Sequence, residues 1–72
     1  MNLLILKSDI YTKSRQQLAA KVLNQHPAIA KWTVDREDVD NVLRIVSKRS
    51  ISERDIQKLI EPLGLHCEDL PE

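Results

Sequence analysis

Seventy-two residues make one domain, and a chain of this size buries only about 60% of the surface its unfolded form exposes. Eleven basic residues balance eleven acidic ones, which argues against a general electrostatic affinity for nucleic acid or an anionic membrane. Cys67 is the only cysteine, so no internal disulfide can form and the cytoplasm is the expected compartment.

The opening Met1-Asn2-Leu3-Leu4-Ile5-Leu6-Lys7 has four large aliphatics in a row before a charge, too few for a signal-peptide core or a membrane span. It reads instead as a first strand over Leu3 to Lys7, buried on both faces or nearly so. Helical spacing then takes over: Leu18, Ala19, Val22 and Leu23 share a face, with Thr12 as N-cap and an end near Asn24 to His26, because Pro27 opposes continuation.

Ile29 to Asp35 and Asn41 to Ser47 alternate around a short acidic turn, the pattern of a β-hairpin. Trp32 and Val34 fall on one face of the first of these strands, and Lys31, Thr33 and Asp35 on the other. The second strand is apolar on both sides, which suits a central position. A helix follows, with Ser52 as N-cap, Asp55 three residues on, and Ile51 placed to staple to Ile56. Ile56, Leu59, Ile60 and Leu63 recur at helical spacing. Pro62 should distort the last turn, and Gly64 should close it in a left-handed conformation. Leu65 to Leu70 completes the chain as a fourth strand, before a frayed Pro71-Glu72.

Strand, helix, strand, strand, helix, strand is the α+β order of a ferredoxin-like βαββαβ sandwich, a four-stranded antiparallel sheet with both helices on one face. If Leu4, Leu6, Leu43 and Ile45 face the helices, then Leu3, Ile5, Val42 and Val46 form an apolar strip on the open face, with Arg44 among them. A contiguous patch of this kind marks a contact surface.

Across nearly its whole length the chain resembles the heavy-metal-associated (HMA) domain of copper chaperones and metal-transporting ATPases. The resemblance is carried by Leu4-Ile5-Leu6-Lys7, by Ile29-Ala30-Lys31-Trp32-Thr33-Val34-Asp35, and by Ile56-Gln57-Lys58-Leu59-Ile60-Glu61-Pro62-Leu63-Gly64-Leu65. That family binds soft cations through a C-x-x-C pair after the first strand, where two thiolates can approach one Cu(I) ion. Here the matching positions are Tyr11 and Ser14, and Asp9-Ile10 replaces the methionine ahead of the pair. A phenol and a hydroxyl cannot stand in for thiolates, so the family's metal site does not carry over.

Other chemistries fare no better. His66-Cys67 places two soft ligands side by side, but neighbours on a strand point to opposite faces. A site using Cys67 would need ligands from elsewhere, such as a second copy, and a buried Cys67 beside a surface His66 is the simpler expectation. His26 reads as a helix-end residue. Asp35, Glu37, Asp38 and Asp40 lack the glycine and final glutamate of a calcium loop. Arg44, Lys48 and Arg49 read as solvated surface. RNA-recognition modules of the same topology stack bases on aromatic rings, whereas this open face would carry Leu3, Ile5, Val42, Arg44 and Val46. The sequence therefore points to a non-enzymatic module without cofactor or metal. Its contacts would be with a protein partner or with itself through that face, and not with nucleic acid or membrane. The rival reading is a metal-binding or metal-chaperone domain with non-standard ligands.

Overall fold

A computed structural model describes residues 2–70 of the chain. Pro71 and Glu72, where a frayed end was expected, lie outside that range. The elements are β1 (Asn2–Ser8), α1 (Lys13–Leu23), β2 (Ile29–Asp35), β3 (Val42–Ser47), α2 (Glu53–Ile60), a 3-10 turn (Glu61–Leu63) and β4 (Cys67–Asp69). The strands form one sheet in the order β2-β3-β1-β4, and every neighbouring pair is antiparallel. This is the ferredoxin-like fold, with β1 and β3 in the centre.

Local chemistry sets the helix ends. The Thr12 side chain accepts a hydrogen bond from the Arg15 N–H and starts α1. Ser52 and Asp55 form a reciprocal capping box at the start of α2, satisfying N–H groups that the first turn leaves without partners. Pro62 does not end the helix abruptly. It lies in the single 3-10 turn that continues α2, and Gly64 closes that turn at φ 82°, a conformation that a Cβ would strain.

The core lies between the sheet and the helices. Leu6, Leu43 and Ile45 from the central strands meet Ala19 and Leu23 of α1 and Ile56 and Ile60 of α2, all fully buried. Ile51 and Ile56 belong to the same cluster, as a staple across the cap requires. Cross-strand register confirms the alternation: Leu4 lies opposite Ile45, Leu6 opposite Leu43, Trp32 opposite Ile45 and Val34 opposite Leu43.

Three strand expectations need correction. β1 is buried on one face only, since the helices cover a single side of the sheet and leave Leu3 and Ile5 exposed. β3 begins at Val42, because Asn41 takes a left-handed turn at φ 45°. β4 spans three residues, since Leu65 and His66 are used in leaving the 3-10 turn and meeting the end of β1.

Candidate functional site

On the open face, register places Leu3 opposite Val46 and Ile5 opposite Arg44. Leu3 is 57% exposed and Ile5 39%. Val46 is half-buried beside them, and Arg44 is exposed. Leu3, Ile5 and Val46 therefore form a small apolar patch at one end of the two central strands. It is bordered by exposed Arg44, the cross-strand neighbour of Ile5, and, further along β1, by the ion pair Lys7 Nζ to Glu68 Oε1 at 3.1 Å.

Val42 does not join this patch. It is 4% exposed and lies on the far side of Arg44 along β3. The loop leading into it is fastened to β1: the Ser8 N–H donates to the Asp40 carbonyl at 3.0 Å, and the Ser8 hydroxyl to the Asn41 carbonyl at 2.7 Å. Alternation puts Val42 with Arg44 and Val46, yet the side chain is buried where β3 leaves this loop, level with Asp35 of β2.

The loop after β1, where the resemblance would place a metal, is held by its own hydrogen bonds. The Asp9 N–H donates to the His66 carbonyl at 3.1 Å, and the His66 N–H donates to Asp9 Oδ1 at 2.8 Å. The Ile10 N–H donates to the Ser8 hydroxyl at 3.2 Å, and the Ile10 side chain is fully buried. Tyr11 is exposed, with the Arg15 guanidinium 4.6 Å from its ring centre, and Ser14 sits exposed in the first turn of α1. A guanidinium beside this loop adds positive charge, which works against cation binding.

His66 is exposed and Cys67 fully buried, so their side chains do not converge. Burial, together with the carboxylates of Glu53 and Glu61, pushes the Cys67 thiol up to about 12. It is therefore a protonated core group at neutral pH, unlike the thiolate that binds metals. The Cys67 carbonyl accepts a hydrogen bond from Gln57 Nε2 at 2.9 Å.

In the acidic turn the carboxylates serve the backbone. Asp35 Oδ1 accepts from the Glu37 N–H at 3.1 Å, and Asp38 Oδ1 from the Asp40 N–H at 2.9 Å. Among the described residues no group of three or more His, Cys, Asp or Glu side chains is placed to hold a metal ion. Nor is any helix among them long and apolar enough to cross a membrane. His26 accepts the Ala28 N–H through Nδ1 at 3.1 Å, so it finishes the turn after α1. Arg44 lies on the open face, away from Lys48 and Arg49 in the β3–α2 connection.

Trp32 lies at the rim of the core. Its indole N–H donates to Asn24 Oδ1 at 2.7 Å, the partner that a half-buried indole requires. Shallow clefts flank it. One of about 290 Å³ is bounded by Asn24, Ile29 and Lys31. The other, of about 300 Å³, is bounded by Lys13, Gln16, Ala20 and Arg36.

No family model and no curated protein matches the chain. A solved structure described as "Crosstalk between Cu(I) and Zn(II) homeostasis" shares its fold, with a TM-score of 0.79 over 97% of this chain and 100% of that one, at 11% identity. Identity that low establishes common architecture, and chemistry has to be argued from the residues themselves.

Proposed function

We propose that this chain is a non-enzymatic, cytoplasmic interaction module on an HMA-like fold, and that it contacts a protein partner or another copy through the open face of its sheet. The observation carrying this reading is the adjacency of exposed Leu3 and Ile5 with half-buried Val46 on the two central strands. Large aliphatics clustered there are costly to leave in water, and burial against a partner recovers about 25 cal/mol per Å² of apolar surface. Ser8 and Asp9, in the loop that carries Tyr11, are committed to holding loops together, which also favours contact over chemistry.

Ile5→Glu tests the reading. Position 5 faces Arg44 across the strands, and an opposite-charge cross-strand pair is worth about 0.2–1 kcal/mol, so the variant should fold with nearly unchanged stability. Association through this face should be lost. A chain that captures no partner, and whose self-association, if any, is unchanged by Ile5→Glu, would overturn the proposal.

A further inference from the structure

The two edges of the sheet differ in character. β4 is three residues long, with Glu68 and Asp69 exposed, a short charged edge of the kind that discourages pairing. β2 is seven residues long and forms the opposite edge. On its outer side every second residue directs its N–H and C=O away from β3, and no other strand of the sheet lies there.

The side chains along this edge are complementary to their own antiparallel copy. With a two-fold axis at Thr33, Lys31 of one chain lies opposite Asp35 of the other, on the open face, and the same pair recurs on the far side of the axis. Thr33 meets Thr33. On the covered face Trp32 lies opposite Val34, also twice. Opposite charges, threonine pairs and an aromatic against a β-branched residue are the cross-strand pairs that stabilise antiparallel sheets. Moving the axis to Lys31 or to Asp35 would set like charges against each other.

Lys31, Thr33 and Asp35 are exposed. Asp35 Oδ1 accepts the Glu37 N–H at 3.1 Å, so a partner's Lys31 would meet the other carboxylate oxygen, Oδ2. Among the described residues the ion pairs are Lys7–Glu68 and Arg15–Asp9, and neither Lys31 nor Asp35 takes part in one. Trp32 and Val34 are only partly buried, so pairing would complete their burial. A lysine on an edge strand usually blocks association, but in this register an acid faces it. The irregularity between Ile29 and Lys31 confines regular pairing to the residues from Lys31 onward, which are those used here.

We infer that β2 is a docking edge for a second copy of this chain, paired antiparallel about Thr33 so that the two sheets become one. A two-fold axis perpendicular to the sheet keeps both open faces on the same side, so the dimer would display two apolar patches side by side. This surface is separate from the open-face contact proposed above, and either can fail without the other.

Charge reversal tests it. Sedimentation equilibrium of the wild type should show a concentration-dependent shift from one chain to two, and Ile5→Glu should leave this shift in place. Lys31→Glu alone and Asp35→Lys alone each set like charges opposite one another at both symmetric positions, so each should weaken self-association by about tenfold or more. An equimolar mixture of the two variants restores both attractive pairs and should associate to within about threefold of the wild type. Circular dichroism of each variant confirms its fold, and Thr33→Cys, with Cys67 buried, should give a covalent dimer on oxidation. A wild type that stays a single chain at millimolar concentration would overturn the inference. So would a dimer that neither reversal weakens, or one that Thr33→Cys cannot cross-link.

Discussion

Asp9 and His66 hold each other twice across 57 residues of chain, through the Asp9 N–H on the His66 carbonyl at 3.1 Å and the His66 N–H on Asp9 Oδ1 at 2.8 Å. The clasp fastens the loop after β1 to the entrance of β4. Asp9→Ala removes the acceptor and leaves the His66 N–H without its partner, which should cost about 1–2 kcal/mol of stability. Asp9→Asn keeps the oxygen and should cost less, because the ion pair with Arg15 that it also loses is partly open to solvent, at 3.4 Å, and contributes little. Urea denaturation of the two variants beside the wild type measures the difference.

Gly64 should tolerate space but not backbone strain. A Cβ at this position would meet nothing within 4 Å, yet φ is +82°, where side-chain-bearing residues are disfavoured by about 1–2 kcal/mol. Gly64→Ala should lower the urea midpoint accordingly. Gly64→Asn, which enters the left-handed region more easily, should lower it less.

The cap of α2 couples stability to pH. The Ser52 N–H donates to Asp55 Oδ2 at 3.0 Å. This backbone hydrogen bond, followed by the Ser52 side chain, holds the Asp55 carboxyl below its ordinary value. A carboxyl depressed in the folded state contributes stability above its unfolded value and loses it as pH falls through the folded one. The wild type should therefore lose stability below about pH 4 more steeply than Asp55→Asn, as followed by thermal melts from pH 7 to pH 2. Ser52→Ala at neutral pH should cost about 1 kcal/mol through the missing cap.

Cys67 makes an alkaline prediction. Its thiol is raised from 9.0 to about 12, so folding loses the contribution of this group as pH rises from the unfolded value through the folded one, when the unfolded chain alone can ionise. Cys67→Ala should decline less than the wild type between pH 9 and pH 12. At neutral pH, alkylation of the buried thiol should follow the rate of opening of the fold, whereas in denaturant it should be immediate.

Much of the architecture was legible because its determinants are local. The Ser52–Asp55 cap, the Pro62–Gly64 exit and the alternation around Trp32 each lie within a few residues, and each appears where pattern and propensity place it. What escaped depends on distant segments. The Ser8 bonds to the Asp40 and Asn41 carbonyls join residues far apart in the chain, and the burial of Val42 beside them does not follow from alternation alone. The same holds for the Asp9–His66 clasp and for the shortening of β4. Position 9 was legible only as a place where a family residue is missing. Edge placement of β2 followed from topology, but the match of Lys31 to Asp35 becomes visible only when the strand is set against its own copy.

Whether Leu3, Ile5 and Val46 form the proposed contact surface is tested by site-specific photo-crosslinking in the cells that make the chain, from position 5 and, as a control, from position 54 on an exposed site of α2. A discrete adduct should form from position 5, be absent from position 54 and disappear when Leu3→Glu is added. No adduct from position 5, or the same adducts from both positions, would contradict the proposal.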